Sequence, residues 1–560
     1  MSGILSLPQG RIAPRRLDLA AFSSRPDADC HAGAVHAYLG VPFAQPPLGA
    51  LRWRAPQGPS PSWEGVRQSS FAPDPAQLDG LGTAAWPHRE GLRHSEDCLY
   101  LNVWVPQRVP HQGGKRPILF AIYGGSFVSG GASMAMHDGA RLAHESNCIV
   151  VGCNYRLGVF GFLGSRALAA EAEGAGCGNY AMHDCIAALQ WVQANAEYLG
   201  GDGENVTLFG QSAGSIMQHY LLLSPATPAA LFQRVILQSG VVTTVMPRTL
   251  PSVQATFDAL LPQDGPDDDA SRLAKLRAMD ATQLLHAAAA LPAARPRTEY
   301  EVNEAEGRPL DRAGSQDVRM APSSLWGPVW DGVAVSKDFE RLSKAVIPAA
   351  GEARKNGQGG IMLGYAIDEG TLFCPLIQTK EQVDAHIARF NPTLQPALRK
   401  TYGADSVTDE VAWAVCSDYT GSALFQAPVR AAMGALVSKQ APPAYGYVFA
   451  HAPSKDLLRS WAKNSYGFEL LGKMSALHCA DLPYLWGGDG TERHIWVSGD
   501  AYGVAWDAPA ATEQPALDET QQEGRGFTPG QFLRVRLSSD LALAATLSLT
   551  CPFSLLPTRS

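Results

Sequence analysis

The sequence lacks an apolar run long enough to cross a bilayer as a helix, which takes about 20 residues. The nearest stretch, 541–557, is interrupted by Pro552. Residues 1–16 also lack the apolar core of roughly 7–15 residues, and the basic start before it, that mark a secretory leader. Together these absences predict a cytoplasmic protein without a membrane partner. An excess of positive charge is missing too. Lys and Arg number 45 against 53 Asp and Glu, a net charge of −8, in a chain of 560 residues. No basic field is therefore on offer to nucleic acid or to an anionic membrane surface. None of the ten cysteines forms a C-x-x-C pair, which excludes zinc knuckles and thioredoxin-type motifs. Cys148 and Cys153 lie in an apolar run and read as small buried hydrophobes. Disorder is excluded as well, because 46% of the residues are hydrophobic and 18% charged, enough apolar surface to offset ordering entropy. There is no internal repeat.

What is present has the pattern of an α/β protein. Short apolar runs at 118–123, 148–153, 206–209, 235–238, 361–365 and 445–449 mostly end at Gly, Asn or Ser. Strands apolar on both faces belong to a largely parallel sheet covered by helices. Residues 180–196 carry Ala187, Ala188, Trp191 and Val192 at helical spacing, and 212–223 read as a second helix. Strands alternating with helices predict a doubly wound body. A charged, Ala-rich helical stretch at 267–291 followed by polar residues to 324 reads as an insert over the sheet. Residues 497–531 are rich in Ala, Gly, Pro and Gln and predict no element. Asn205-Val206-Thr207 matches a glycosylation sequon, but it falls on a strand and reads as a chance match.

Two short motifs carry chemistry. Gly210-Gln211-Ser212-Ala213-Gly214 fits G-x-S-x-G. Alone it could be a serine capping an ordinary helix. Its position between a strand and a helix matches a nucleophile elbow, in which small flanking residues let the turn close. The helix N-terminus would then present free N–H groups to a developing oxyanion. Tyr123-Gly124-Gly125-Ser126-Phe127 follows another strand. Its glycines could turn two N–H groups toward one point, or could simply form a flexible turn.

With these motifs, the chain resembles the type-B carboxylesterase family, which includes the cholinesterases. The resemblance runs from about residue 37 to about 488. It is carried by Glu96-Asp97-Cys98-Leu99-Tyr100-Leu101-Asn102-Val103, by residues 200–214, by Val41-Pro42-Phe43-Ala44 with Arg52, and by Asn154-Tyr155-Arg156-Leu157-Gly158. It implies an α/β-hydrolase fold: a large, mostly parallel sheet flanked by helices, with cap or insert helices. The implied division is one domain over 1–496, with a helical insert at about 265–324, and a divergent, loosely structured tail over 497–560.

The resemblance also implies a Ser-His-Glu triad. Among 14 histidines, composition selects none. Ala476-Leu477-His478-Cys479-Ala480-Asp481-Leu482 resembles the family's histidine segment and points to His478. Gly364-Tyr365-Ala366-Ile367-Asp368-Glu369-Gly370 resembles its acid loop and points to Glu369, with Asp368 as competitor. Ser212 would attack an ester carbonyl after His478 takes its proton, and Glu369 would hold the imidazole. The N–H groups of Gly125, Ser126 and Ala213 would bind the oxyanion. The expected partner is a small-molecule ester, and no cofactor or metal is expected. Rival readings are an inactive, cholinesterase-like adhesion protein, and a lipase, amidase or carbamate hydrolase using the same triad.

Departures from the family pattern bear on specificity. Ser126 replaces a third glycine, and its Cβ restricts the turn. Gln211 stands where the family commonly has glutamate, removing a carboxylate beside the nucleophile. Trp86, Gln211 and Phe127 are the expected substrate-binding residues. Trp86 could face a quaternary ammonium, but its spacing to Cys98 differs from that of the cholinesterases, and the loss of charge at Gln211 argues against choline esters. The cysteine that secreted members bridge to the equivalent of Cys98 is absent, with Pro75 at about its place. Arg52–Glu96 and Arg156–Asp184 are expected as structural ion pairs. Beyond residue 488 the family's usual ending is not found.

Overall fold

The computed structural model describes residues 3–18, 34–58, 62–78, 91–107, 114–261, 268–291, 325–336, 360–374, 377, 379–388, 395–438, 444–449, 478–479, 481–482 and 532–535. Its centre is a ten-stranded sheet. In chain order the strands are β1 (Arg15–Asp18), β2 (Ala34–Pro42), β3 (Tyr100–Pro106), β4 (Arg116–Ala121), β5 (Ile149–Cys153), β6 (Gly201–Gln211), β7 (Arg234–Gln238), β8 (Gly360–Ala366), β9 (Ala444–Phe449) and β10 (Phe532–Val535). Across the sheet they run β10-β9-β8-β7-β6-β4-β5-β3-β2-β1. Every pairing from β10 to β5 is parallel. β3, β2 and β1 are then added antiparallel. The predicted α/β class and mostly parallel sheet are both found.

The continuous apolar runs have the expected cause. Side chains alternate between sheet faces, and both faces are covered. On β4, Ile118 and Phe120 enter one core cluster while Leu119 and Ala121 enter another. The first cluster holds helices α1 (Tyr180–Asn195) and α2 (Ala213–Leu223), through residues such as Leu189 and Met217. The second contains Cys479 and Leu482, which seats the His478 segment against the opposite face. Fully burying one such side chain as Phe120 stabilises the fold by about 1.5–3 kcal/mol.

The helical stretch expected at 267–291 is two helices, α3 (Asp269–Ala278) and α4 (Ala281–Ala290). The break follows from Asp280, whose carboxylate accepts from the Gln283 backbone N–H while Gln283 bonds back in a capping box. Arg52 joins this pair to the body. It bonds Glu96 at 2.7 and 2.5 Å and donates to the carbonyls of Leu276, Arg277 and Met279, where a helix C-terminus favours a cation. Arg156 and Asp184 form the second expected pair, with bonds of 2.8 and 2.7 Å. Cys98 is buried with a free thiol, and it lines one small cavity together with Pro75. Thr207 of the sequon is buried in β6. The remainder of the insert and of the tail, apart from β10, lies outside the described residues. Among the described residues no helix is long and apolar enough to cross a membrane.

Candidate active site

The carboxyl ends of β4, β6 and β8 meet at one place, the usual position for a site on a parallel sheet. Ser212 sits between β6 and α2 with φ 57° and ψ −127°. That is strained backbone for a residue with a Cβ. It is held by the Ser212 N–H donating to the Gln238 carbonyl at 2.8 Å and by the Ile216 N–H donating to the Ser212 carbonyl at 2.9 Å. The flanking glycines are required by space, since a Cβ on either Gly210 or Gly214 would strike the Ile122 carbonyl.

After β4, Gly125 has φ 118° and Ser126 and Phe127 have φ 55° and 63°. The loop is closed by the Val128 and Ser129 N–H groups, both donating to the Gly125 carbonyl at 3.0 Å. The N–H groups of Gly125, Ser126 and Ala213 make no bond among the described residues. The turn holds the Ser126 side chain in left-handed backbone. The Phe127 ring is buried. It is 1% exposed and meets Phe162 edge-on, with centroids 5.2 Å apart, within the core.

Glu369 begins the 3-10 turn Glu369–Leu372 that follows β8, and it is fully buried. One carboxylate oxygen accepts from the Ala366 N–H at 2.7 Å. The other is hydrogen-bonded to Nδ1 of His478, 109 residues further along. Glu369, rather than Asp368, reaches the imidazole. A carboxylate only accepts, so Nδ1 carries a proton, and in the neutral ring Nε2 is the acceptor.

Gln211 meets the imidazole directly. Its amide nitrogen is 2.9 Å from Nε2 and 3.3 Å from Nδ1. The in-plane lone-pair axes of the two nitrogens diverge, so an atom nearly equidistant from both lies over the ring and leaves Nε2's own axis open. The Cys479 thiol donates to the Gln211 side-chain amide oxygen, Oε1, at 3.1 Å. Ser212 Oγ makes no hydrogen bond to His478 among the described residues. Such bonds often close only around substrate. Trp86, the remaining expected pocket residue, lies outside the described residues.

Several groups around the base carried no assignment in the sequence reading. The Phe425 ring lies 4.4 Å from the imidazole at 32°, and Phe373 meets it edge-on at 4.9 Å and 73°. Asp481 accepts from Gln238 at 2.9 Å and from the Tyr447 hydroxyl at 3.3 Å. Asp481 lies within the histidine segment 476–482, but Phe425 belongs to no motif.

Electrostatics follow from burial and charge. Burial alone would lower the pKa of His478, but the negative charges of Cys479 and Glu369 push it up to about 10. Burial also raises the Cys479 thiol and keeps it neutral near pH 7, so Glu369 is the cause that acts there. Asp481 is pushed up to about 6, first by burial and then by Glu369, against the Gln238 hydrogen bond and His478. Among the described residues no group of three or more His, Cys, Asp and Glu side chains could hold a metal ion.

Residues 25–497 match the Carboxylesterase family. The chain is 44% identical over 211 residues to the fumonisin B1 esterase of Sphingopyxis macrogoltabida, covering 37% of each chain. It is 42% identical over 214 residues to the acetylcholinesterase of Bungarus fasciatus, covering 37% of this chain and 34% of that one. It is 38% identical over 258 residues to the para-nitrobenzyl esterase of Bacillus subtilis (strain 168), covering 45% of this chain and 49% of that one. The matched stretches thus span between about a third and a half of these relatives' own lengths.

Proposed function

The chain belongs to the Carboxylesterase family, and on that basis we propose that it hydrolyses carboxylic esters through an acyl-enzyme on Ser212. The observation that carries the reading is the buried bond between Glu369 and His478, formed beside a serine with the backbone of a nucleophile elbow. Nε2 of His478 takes the Ser212 proton as Oγ attacks the ester carbonyl. Charge passes to the carbonyl oxygen, which the Gly125, Ser126 and Ala213 N–H groups receive. Losing one such donor typically costs about 2.7–4 kcal/mol of barrier. The imidazolium, held by Glu369, protonates the leaving alcohol. Water then attacks the acyl-enzyme by the same route and releases the acid.

The substrate is a small-molecule ester without a cationic alcohol. Gln211 is neutral where a carboxylate would attract a cation. The named relatives act on unlike compounds, so none of their substrates is carried over. A cytoplasmic location is the expectation, which fractionation of the source cells would test. The activity is tested by turnover of a short-chain p-nitrophenyl ester by the full chain and by Ser212→Ala. Turnover by the parent that the substitution abolishes is expected. A folded parent that never turns over would favour a binding role, and a Ser212→Ala variant that still turns over would remove Ser212 from the chemistry.

A further inference from the structure

Phe425 reaches the base through an irregular piece of helix. Helix α5 (Asp409–Gly421) continues into a π-helical turn, Ser422–Gln426, and then into α6 (Ala427–Ser438). A π-turn adds a residue to the helical turn and re-aims the side chains at that point, and such turns gather at functional sites. Here two side-chain bonds brace it. The Ser422 hydroxyl donates to the Gln426 amide oxygen at 3.2 Å, and the Gln426 amide nitrogen donates to the Ile367 carbonyl at 3.0 Å, two residues before Glu369. The turn is thereby tied to the acid loop, and its Phe425 ring, 4% exposed, lies 4.4 Å from the imidazole.

We propose that Phe425 is a positioning residue for the general base. Its π-face holds the imidazole plane that Glu369 orients, and it attracts the imidazolium that forms as the serine proton is taken. This inference rests on the reading of His478 as base. The charged and titratable groups facing that ring, among the described residues, are Glu369 on the acid loop and Cys479 and Asp481 on its own segment, with Tyr447 of β9 behind Asp481. None lies on the helix that carries Phe425, so replacing Phe425 leaves them in place.

The test is the pH dependence of kcat and KM for the full chain, Phe425→Leu and Phe425→Tyr. It is paired with proton NMR titration of the His478 Nδ1–H resonance, which needs no turnover. For Phe425→Leu the expected result is a fall of about tenfold in the pH-independent kcat, reached above the imidazole's pKa, within the range of a cation–π contact. KM should stay within about twofold, and the imidazole should titrate lower by about one pKa unit. Phe425→Tyr, which keeps the aromatic face, should restore both. An imidazole pKa unmoved in Phe425→Leu, or a loss confined to KM, would overturn the proposal and leave Phe425 as packing or pocket wall. If Phe425→Leu does not fold, Phe425→Met fills the same space without an aromatic face and is read by the same criteria. Failure of the esterase reading would appear separately, as a parent that does not turn over while the NMR comparison still reports on Phe425.

Discussion

Replacing Glu369 by Gln tests the base–acid pair at one atom. The shape is kept, and the oxygen that accepts from the Ala366 N–H at 2.7 Å can still do so. The other arm then presents N–H groups to Nδ1 of His478. Nδ1 must accept, so the proton moves to Nε2, the nitrogen that has to receive the serine proton. A wrong-tautomer base of this kind costs about 10⁴ in kcat, or about 5 kcal/mol of barrier. The pH profile should change as well. His478 works only when neutral, and the Glu369 charge helps raise its pKa, so activity rises with pH through a raised value. Removing the charge should move that acid limb to lower pH. The same sign governs stability. In the parent, the pair's contribution is full below the ordinary value of 6.5 and is lost as pH rises through the raised value that Glu369 helps to set. Glu369→Gln should flatten that slope. The assay is p-nitrophenyl ester turnover across pH, read at the isosbestic wavelength, alongside thermal melts. A variant within tenfold of the parent and with an unmoved limb would refute the reasoning, above all if Asp368→Asn were the inactive one.

Asp481→Asn should raise the melting temperature by more at pH 8 than at pH 5, because the penalty grows from the unfolded value of 3.8 and levels off above about 6. The carboxyl is pushed up to about 6, so the folded state favours its neutral form, and the ionised form penalises folding as pH rises above the unfolded value. Melts at the two pH values check the sign. Ser126→Gly should stabilise the protein by about 1–2 kcal/mol, the cost of a Cβ in left-handed backbone, since Ser126 has φ 55°. Urea unfolding measures it, and a loss of stability would mean that the serine side chain makes a compensating contact.

The sheet and the serine turn were legible because each left a short-range signature. Residues 149–153 and 206–211 are buried throughout their strands, and a strand covered on both faces has no polar alternation to blur the pattern. Ser212 was readable because Gly210 and Gly214 have to pass the Ile122 carbonyl, which leaves a spelled motif. Glu369 over Asp368 was carried by the family's pattern and agrees with the bond to His478. The surroundings of the base were not legible. Phe425 is brought to His478 by a π-turn, a change of helical register that no composition announces. The orientation of Gln211 over the imidazole depends on Cys479, a contact between segments 268 positions apart. Phe127 was expected at the pocket, and its ring packs edge-on against Phe162 within the core.

The central claim is that Ser212 is the nucleophile and His478 its base. The most direct measurement is the site of covalent labelling by a fluorophosphonate, mapped by mass spectrometry in the full chain, in Ser212→Ala and in His478→Ala. The account predicts label on Ser212 in the parent, none in Ser212→Ala, and labelling slowed by orders of magnitude in His478→Ala. Label on another residue, or a folded parent that takes none, would contradict it.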